Sequence, residues 1–325
     1  MSRRFIVVML LCAVLFGALP AGAQESTECA EGTYLVVHVV GETCVPENVV
    51  RVVTLEHVLT EITLTLGVQP VGVADPDRFE VLVNFPVALD ESVVDVGTRN
   101  EPSLEVITEL QPDLILAASF RVGENYDELS AIAPVLTFAG ADGFEVMLEM
   151  FDTIAVALDR EAEAEAAVAA MEAHFEQAEA ALEAAEMGEA TFILSQNWFE
   201  ESVATFRLFT ENAMAVEILT QIGLENAWDA EPMPDGFTLV GLEGMAEIGD
   251  TNFFYVTDEA TVTAFGESEL WNALPFVQAG HDYWLGESVW LFGGPVSVQR
   301  LVTLTLDALG VETGAAPVPE ATEAS

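Results

Sequence analysis

Apolar positions along the chain fall into two alternating patterns, short continuous runs and longer runs with helical spacing. Residues 51–55, 68–73 and 114–117 are short apolar runs with the length and composition of buried strands. Runs with helical spacing separate them, for example residues 58–66, which end at Gly67. Strands that alternate with short helices predict parallel sheets covered on both faces.

The middle of the chain favours helix much more strongly. Residues 145–186 are rich in Ala, Glu, Met and Leu, and only Asp159 and Arg160 interrupt that composition. We predict a shorter helix followed by a single helix of roughly 25 residues, which at about 1.5 Å per residue is long enough to span a small domain. A second α/β region begins at about residue 190.

Two segments, one in each half of the chain, repeat one plan. Each has a Leu-Glu pair at the head of a short amphipathic run, then a breaker, an Asp and a continuous apolar run. The Glu and the Asp are Glu105 and Asp113 in the first segment, and Glu243 and Asp250 in the second. One helix–turn–strand unit in each half predicts two similar α/β lobes, and a cleft between lobes is a common place for a small ligand.

The N-terminus has the pattern of a cleavable secretory signal, namely Arg3 and Arg4, an apolar stretch and a small-residue cleavage site. Cys12 lacks the small residues before it that a lipoprotein signal needs, so we expect a periplasmic or extracellular protein without a lipid anchor. The predicted organisation is a signal peptide over 1–23, an N-terminal lobe over 24–142, a helical segment over 143–188, a C-terminal lobe over 189–312 and a disordered tail over 313–325.

Two cysteines, Cys29 and Cys44, flank an alternating run at residues 34–40 that predicts a hairpin strand. An oxidising compartment permits a disulfide across such a hairpin. Two free buried thiols are the alternative.

The charge of the chain is strongly one-sided. Its 325 residues include 55 acidic and 9 basic side chains, all nine of them Arg, and the formal charge is −46. Such a polyanion repels nucleic acid and acidic membrane surfaces. We expect most of the acidity to serve solubility or adaptation to salt. In this background a local cluster of Arg would be suited to holding an anion, and Arg99 and Arg121 bracket the first repeated segment.

Motifs for catalysis and metal binding are missing from the sequence. It has no Gly-x-Ser-x-Gly, phosphate loop, dinucleotide fingerprint or His-Glu-x-x-His. The four histidines are scattered without metal-ligand spacing. We therefore predict that the protein is not an enzyme and holds no metal or cofactor of its own.

Six segments, taken in order, resemble one protein family. They include RVVTLEHVLTEITLTLGVQPVGVAD and LWNALPFVQAGHDYWLGESVWLFGG, and they cover residues 51–75, 96–117, 126–134, 219–228, 236–250 and 270–294. The chain is similar to substrate-binding proteins of ABC-type iron–siderophore importers, with the hydroxamate and citrate siderophore binders the nearest in pattern.

This resemblance implies a fold and a function. The implied fold is α/β, with two Rossmann-like lobes that have parallel-type sheets and are joined by a single long α-helix, the class III periplasmic binding protein fold. The implied function is extracytoplasmic capture of a ferric siderophore in the cleft between the lobes, followed by delivery to a permease dimer in the membrane. We expect a monomer whose ligand, the Fe(III)-siderophore, supplies its own iron ligands.

The resemblance also implies which side chains contact the ligand. Ferric iron prefers oxygen ligands, which the siderophore provides, so the protein needs to recognise the outer oxygens and apolar parts of the chelate. Arg suits the oxygens and aromatic rings suit the apolar parts. The family pattern assigns contacts to Arg99 and Arg121 and to a cleft Trp at Trp290, with Phe292 and Phe237 as aromatic companions.

Each of these assignments has an ordinary structural alternative. An Arg in a loop usually makes a surface ion pair of about 0–1 kcal/mol, which we favour for Arg207, a weaker ligand candidate. Trp290 and Phe292 are two residues apart on a predicted strand, so they would also fit a packed core face.

Glu105 and Glu243 are expected to dock the protein onto its permease. In the family a Glu at each position lies on the outer tip of its lobe and pairs with an Arg of the permease. Compensation of a helix dipole is the alternative, worth about 0.3–1 kcal/mol.

A haem or cobalamin binder of the same fold is the rival function. In that case His57 or Tyr126 would be the candidate ligand of haem iron.

Overall fold

The computed structural model describes residues 28–140, 143–200 and 203–312. The predicted signal peptide and tail lie outside the described residues. The described part begins with an antiparallel hairpin of β1 (Thr33–His38) and β2 (Gly41–Pro46), and a disulfide joins Cys29 to Cys44. The hairpin lies along residues 135–138, where the backbone N–H of Val39 donates to the carbonyl of Thr137 at 3.3 Å.

A five-stranded parallel sheet, the N-terminal sheet, occupies the first half of the chain. Its strands are β3 (Val52–Thr54), β4 (Gly72–Val73), β5 (Val94–Asp95), β6 (Leu114–Ala118) and β7 (Val135–Phe138), in the order β5-β4-β3-β6-β7. The helices of this half are α1 (His57–Thr65), α2 (Pro76–Val83), α3 (Leu104–Leu110), α4 (Ser119–Val122) and α5 (Tyr126–Ser130).

The strand predicted over residues 68–73 is shorter in the structure, where only Gly72 and Val73 are paired. Pro70 has no N–H to donate to a neighbouring strand. The amide side chain of Gln69 instead bonds the loop that precedes β5, through the carbonyl of Ala88 and the backbone N–H of Asp90.

Two helices connect the halves, α6 (Phe144–Leu158) and α7 (Glu161–Ala184). Asp159 ends α6 in a left-handed conformation, with φ of 55°. The following 24 residues form one uninterrupted helix, as the Ala- and Glu-rich composition predicts.

The second half forms a six-stranded sheet, the C-terminal sheet. Its strands are β8 (Thr191–Glu200), β9 (Val203–Phe209), β10 (Glu225–Asn226), β11 (Phe237–Gly241), β12 (Asn252–Val256) and β13 (Asp282–Gly286). The strand order is β11-β9-β8-β12-β13, with β10 also paired to β8. The helices are α8 (Met214–Gln221), α9 (Glu259–Glu267), α10 (Glu269–Asn272), α11 (Pro275–Ala279) and α12 (Pro295–Leu309).

The C-terminal sheet is mixed, which corrects the expectation of two parallel-type sheets. β8 pairs in parallel with β10 and β12, but antiparallel with β9, which in turn pairs antiparallel with β11. The connection from β8 to β9 is too short for a crossover, and parallel neighbours need a dozen or more connecting residues.

The two repeated segments occupy equivalent places in the two sheets. The first forms α3 and then β6, a strand between β3 and β7, and the second leads into β12, between β8 and β13. The predicted second helix is only a 3-10 turn at Gly244–Glu247, because Gly249 follows too soon for a longer helix.

One hydrophobic cluster joins the two halves. It contains residues from one face of each sheet, among them Leu116 and Leu194, together with residues of α1, α6, α7, α8 and α12. The opposite faces of the sheets have separate clusters. These helices therefore form a shared layer between the sheets. In the described part of the chain, no helix is both long and apolar enough to cross a membrane.

Candidate functional site

A cavity of about 740 Å³ lies between the two halves of the chain. Ala118 and Phe138, the last residues of β6 and β7, line it from the first half, and Asn197 of β8 lines it from the second. It therefore opens at the carboxyl ends of parallel strands, where open α/β sheets commonly bind ligands.

Four arginines converge on this cavity. Arg78, Arg99 and Arg121 come from the first half and Arg207 from the second. The chain has nine arginines, of which two lie in the predicted signal peptide. More than half of the remaining positive charge is thus gathered around one cavity of a strongly acidic protein.

A buried carboxylate, Glu56, holds two of the arginines side by side. Its Oε1 accepts from Arg99 Nη1 at 2.7 Å, and its Oε2 accepts from Arg121 Nε. Asp75 Oδ2 adds bonds from the backbone N of Arg99 at 2.9 Å and from its Nε at 3.4 Å, and Arg121 Nη1 donates to Asn100 Oδ1 at 2.6 Å. Among the described residues, Nη2 of either Arg has no hydrogen-bond partner, so each guanidinium retains donors for a ligand.

Arg207 is a partly buried cation surrounded by aromatic rings. Its guanidinium carbon is 4.3 Å from the ring centroid of Phe237, 5.4 Å from that of Trp198 and 5.8 Å from that of Phe292. Its Nη1 donates to Gln196 Oε1 at 2.7 Å, and burial lowers its pKa from the ordinary value.

The surface ion pair favoured for Arg207 is therefore wrong. No carboxylate lies within ion-pair distance of Arg207 in the described part of the chain, and its Nε is buried without a hydrogen-bond partner. A weakly solvated guanidinium that is held by π faces remains available to an anion.

Trp290 and Phe292 lie in the loop between β13 and α12, not on a strand as predicted. Gly286, with φ of 107°, ends β13, and residues 287–294 form no further strand before α12 begins at Pro295. Both rings line the cavity. The Trp290 ring centroid is 5.6 Å from the guanidinium carbon of Arg99, so an aromatic side chain of the second half covers a cation of the first.

Several residues of this cavity are not among those predicted from the sequence. Arg78, Phe120 and Trp198 line it, as does Glu56, the residue that organises two of the arginines. Phe120 is 63% exposed, and its ring centroid is 5.0 Å from the guanidinium carbon of Arg121. Glu56 and Phe120 could have been identified from their place in the chain, because they closely follow the carboxyl ends of β3 and β6, where ligands commonly bind.

Glu105 and Glu243 lie away from the cavity. Both are exposed, Glu105 in the first turn of α3 and Glu243 immediately before the 3-10 turn that leads to β12. Neither lines the cavity or forms an ion pair within the described residues.

The two candidate haem ligands are also outside the cavity. His57 is 0% exposed, and its ring packs edge-on against Trp290 with 5.4 Å between centroids. Burial, and secondarily the charge of Arg99, lowers the pKa of His57 to about 3. Tyr126 packs on the far face of the N-terminal sheet. Within the described residues, no group of three His, Cys, Asp or Glu side chains is arranged to hold a metal ion.

Three comparisons relate the chain to known proteins. A family model described as periplasmic binding protein matches residues 52–289. The iron(3+)-hydroxamate-binding protein FhuD of Escherichia coli (strain K12) is 29% identical over 266 residues, which cover 80% of this chain and 87% of that protein. The Fe(3+)-citrate-binding protein YfmC of Bacillus subtilis (strain 168) is 27% identical over 289 residues, which cover 87% and 89%.

A solved structure gives the same result for the fold. The crystal structure of the siderophore binding protein FhuD from Vibrio cholerae, bound to Fe3+-Desferal, is similar with a TM-score of 0.74 at 31% identity. The similarity covers 80% of this chain and 97% of that one. The predicted fold class is confirmed.

Proposed function

Because the chain belongs to the periplasmic binding protein family, we propose that it captures a ferric siderophore of the citrate or hydroxamate type and delivers it to an ABC importer. Members of the family are solute-binding proteins and not enzymes. Relatives that bind Fe(3+)-hydroxamate and Fe(3+)-citrate align over most of this chain, which supports the proposed ligand class.

The observation that supports this function best is the convergence of arginines and aromatic rings on one cavity. Arg99 and Arg121 face it from the first half, and Arg207 faces it from the second. An iron chelate presents oxygen atoms over an outer surface that often has net negative charge. Guanidinium groups make charge-assisted bonds to such oxygens, while Trp290 and Phe292 contact the apolar parts of the chelate.

The spectrum of the loaded protein distinguishes this function from haem binding. We would mix the purified protein separately with haem, ferric citrate and a ferric hydroxamate, and then remove unbound ligand by gel filtration. The proposal predicts that a broad charge-transfer band of a ferric chelate co-elutes with the protein. A retained Soret band with no retained chelate would contradict it.

The lobes are expected to move little when the ligand binds. The division into two lobes remains a proposal, supported by the formation of each sheet within one half of the chain. The single helix α7 and the shared helical layer connect the halves, and a continuous helix resists bending. Small-angle scattering curves of the free and loaded protein should nearly coincide. A large decrease in the radius of gyration on loading would refute this expectation.

Docking to the permease is proposed to use Glu105 and Glu243. Their exposure and their separation from the cavity support a role outside ligand binding, with one anchor in each half of the chain. Charges of this kind determine orientation and encounter rate more than total affinity.

Replacing Glu105 and Glu243 by alanine should leave chelate binding intact and reduce transport. The loss of one member of a desolvated charge pair costs about 2–5 kcal/mol, so the double variant should lose more transport than either single variant. Uptake of radioactive iron in cells with the cognate permease measures the effect. Glu172→Ala with Glu179→Ala, which removes the same charge from the exposed side of α7, is the control. Loss of chelate binding in the docking variants would place both residues in the ligand site instead.

The location of the protein follows the same proposal. We propose export by the predicted signal peptide and function as a monomer outside the cytoplasm, without a lipid anchor. The family description as periplasmic binding proteins supports an extracytoplasmic location.

A further inference from the structure

A fully buried carboxylate, Glu61, joins helix α1 of the first half to helix α12 of the second. It is 0% exposed. Its Oε1 accepts from the backbone N–H of Ser297 at 2.8 Å, and its Oε2 accepts from the hydroxyl of Ser297 at 2.6 Å. The two residues are 236 positions apart in the chain.

The segment opposite Glu61 is shaped to receive this carboxylate. A Cβ on Gly293 would lie 2.5 Å from Glu61 Oε2, and a Cβ on Gly294 would lie 3.3 Å from Glu61 Oε1. Neither glycine has a positive φ, so space rather than backbone conformation requires glycine here. A Cβ on Gly293 would also overlap with the Ser297 side chain, so a larger residue there would disturb the contact between Ser297 and the carboxylate.

Burial disfavours the charged form of the Glu61 carboxyl group and therefore raises its pKa. The hydrogen-bond donors described around it are uncharged groups, the hydroxyl and backbone of Ser297 and the backbone of neighbouring residues. The N-terminus of α12, a helix of 15 residues, provides favourable partial charge. An apolar pair of similar volume would often stabilise the fold at least as well, so stability alone does not explain a carboxylate at this position.

Each of the two residues in this contact is close in sequence to residues that line the cavity. Glu56, at the N-cap of α1, bonds Arg99 and Arg121, and Glu61 lies in the same helix. The loop that presents Trp290 and Phe292 ends at the residues that Glu61 contacts. A short stretch of one helix therefore connects the arginines of the first half to the rings of the second.

We propose that Glu61 is a positioning residue that fixes the Trp290–Phe292 loop relative to Arg99 and Arg121, and so holds the ligand site in its binding geometry. The proposed effect of Glu61 on ligand affinity rests on the proposed function, whereas its proposed effect on the loop does not. The hydrogen bonds from Ser297 immobilise the loop in the free protein as well.

Hydrogen exchange tests the effect on the loop without any ligand. In Glu61→Ala, the backbone amides of residues 290–294 and 296–298 should exchange about 10-fold or more faster than in the wild type, since the Ser297 amide loses its acceptor. Glu61→Gln retains a carbonyl oxygen for that amide and should restore most of the protection. Asp258→Ala is the control, because it removes a carboxylate of the second half that caps α9 and, among the described residues, makes no hydrogen bond to the Trp290–Phe292 loop.

Binding of a ferric chelate tests the effect on the site. Glu61→Ala should weaken binding about 10-fold, whereas Glu61→Gln and Asp258→Ala should stay within about 3-fold of the wild type. If Glu61 acts through the loop, Glu61→Ala should cost less than about 2-fold in a Trp290→Ala and Phe292→Ala background, because both rings that it positions are then absent. Should Glu61→Ala fail to fold, Ser297→Ala removes the hydroxyl bond alone and should show the same pattern at smaller amplitude.

The outcomes separate this proposal from the proposed function. Unchanged exchange of residues 290–294 and 296–298 in Glu61→Ala, or equal losses in the Gln and Ala variants, would overturn the positioning role. Full additivity of Glu61→Ala with the Trp290→Ala and Phe292→Ala pair would overturn it as well. If the wild type binds no ferric chelate, the proposed function fails, and the exchange comparison still decides whether Glu61 fixes the loop.

Discussion

Alanine at both Arg99 and Arg121 is expected to weaken binding of a ferric citrate or hydroxamate chelate by about 10²- to 10⁴-fold. Each substitution removes a charge-assisted hydrogen bond of about 1.5–3 kcal/mol. The double variant also leaves Glu56, which is 5% exposed, without the two cations that it pairs with. The negative charge of Glu56 would then face the anionic ligand and oppose its binding. Calorimetric titration of the wild type and the double variant measures the difference.

The control for this prediction removes the same charge elsewhere. Arg51 bonds the carbonyls at the end of α3, and Arg160 forms an exposed pair with Glu163. Alanine at both positions changes the net charge equally without touching the cavity, and affinity should remain within a few-fold of the wild type. Equal affinities in the cavity and control variants, with the fold intact by circular dichroism, would remove both arginines from the ligand site.

Acid is expected to destabilise the protein through His57. The unfolded chain binds a proton at this residue below its ordinary pKa of 6.5, but the folded protein does not until the pH approaches about 3. The unfolded state therefore holds more protons in this window, and stability falls as pH falls. At pH 4.5 the contribution is about 2–3 kcal/mol, so His57→Leu should lose that much less free energy of unfolding than the wild type between pH 7 and pH 4.5.

Denaturant titrations at the two pH values measure this difference. Thr305→Val is the matched control, since Thr305 is also 0% exposed with no hydrogen-bond partner for its hydroxyl among the described residues, but does not titrate. Its effect should be equal at pH 7 and pH 4.5. A parallel loss of stability in the wild type and His57→Leu would show that His57 is protonated in the folded state.

The sequence predicted those features that depend on local pattern. The α7 helix follows from composition, and β6 follows from a continuous apolar run beside the repeated Glu and Asp. Arg99 and Arg121 were identified by their context in motifs of a known family. All of these signals lie within short stretches of chain.

Features that depend on tertiary packing could not be predicted in this way. Arg207 looked like a surface residue because two of its aromatic neighbours, Phe237 and Phe292, come from distant segments, and the third, Trp198, lies on the paired strand β8. The mixed pairing of the C-terminal sheet depends on how few residues connect β8 to β9, whereas the apolar pattern of a strand is the same in both directions. Glu61 is one of several polar residues in α1, and the sequence does not show that Ser297 lies beside it.

The central claim is that the cleft between the two halves captures a ferric chelate. The most direct test is a fluorescence-quenching titration of the wild type with ferric citrate, a ferric hydroxamate, the matching iron-free chelators and haem, using the cavity residues Trp198 and Trp290 as reporters. We predict saturable quenching by at least one ferric chelate at one equivalent per chain, with much weaker binding of its iron-free form and of haem. Saturable quenching by haem alone, or by none of these ligands, would contradict the claim.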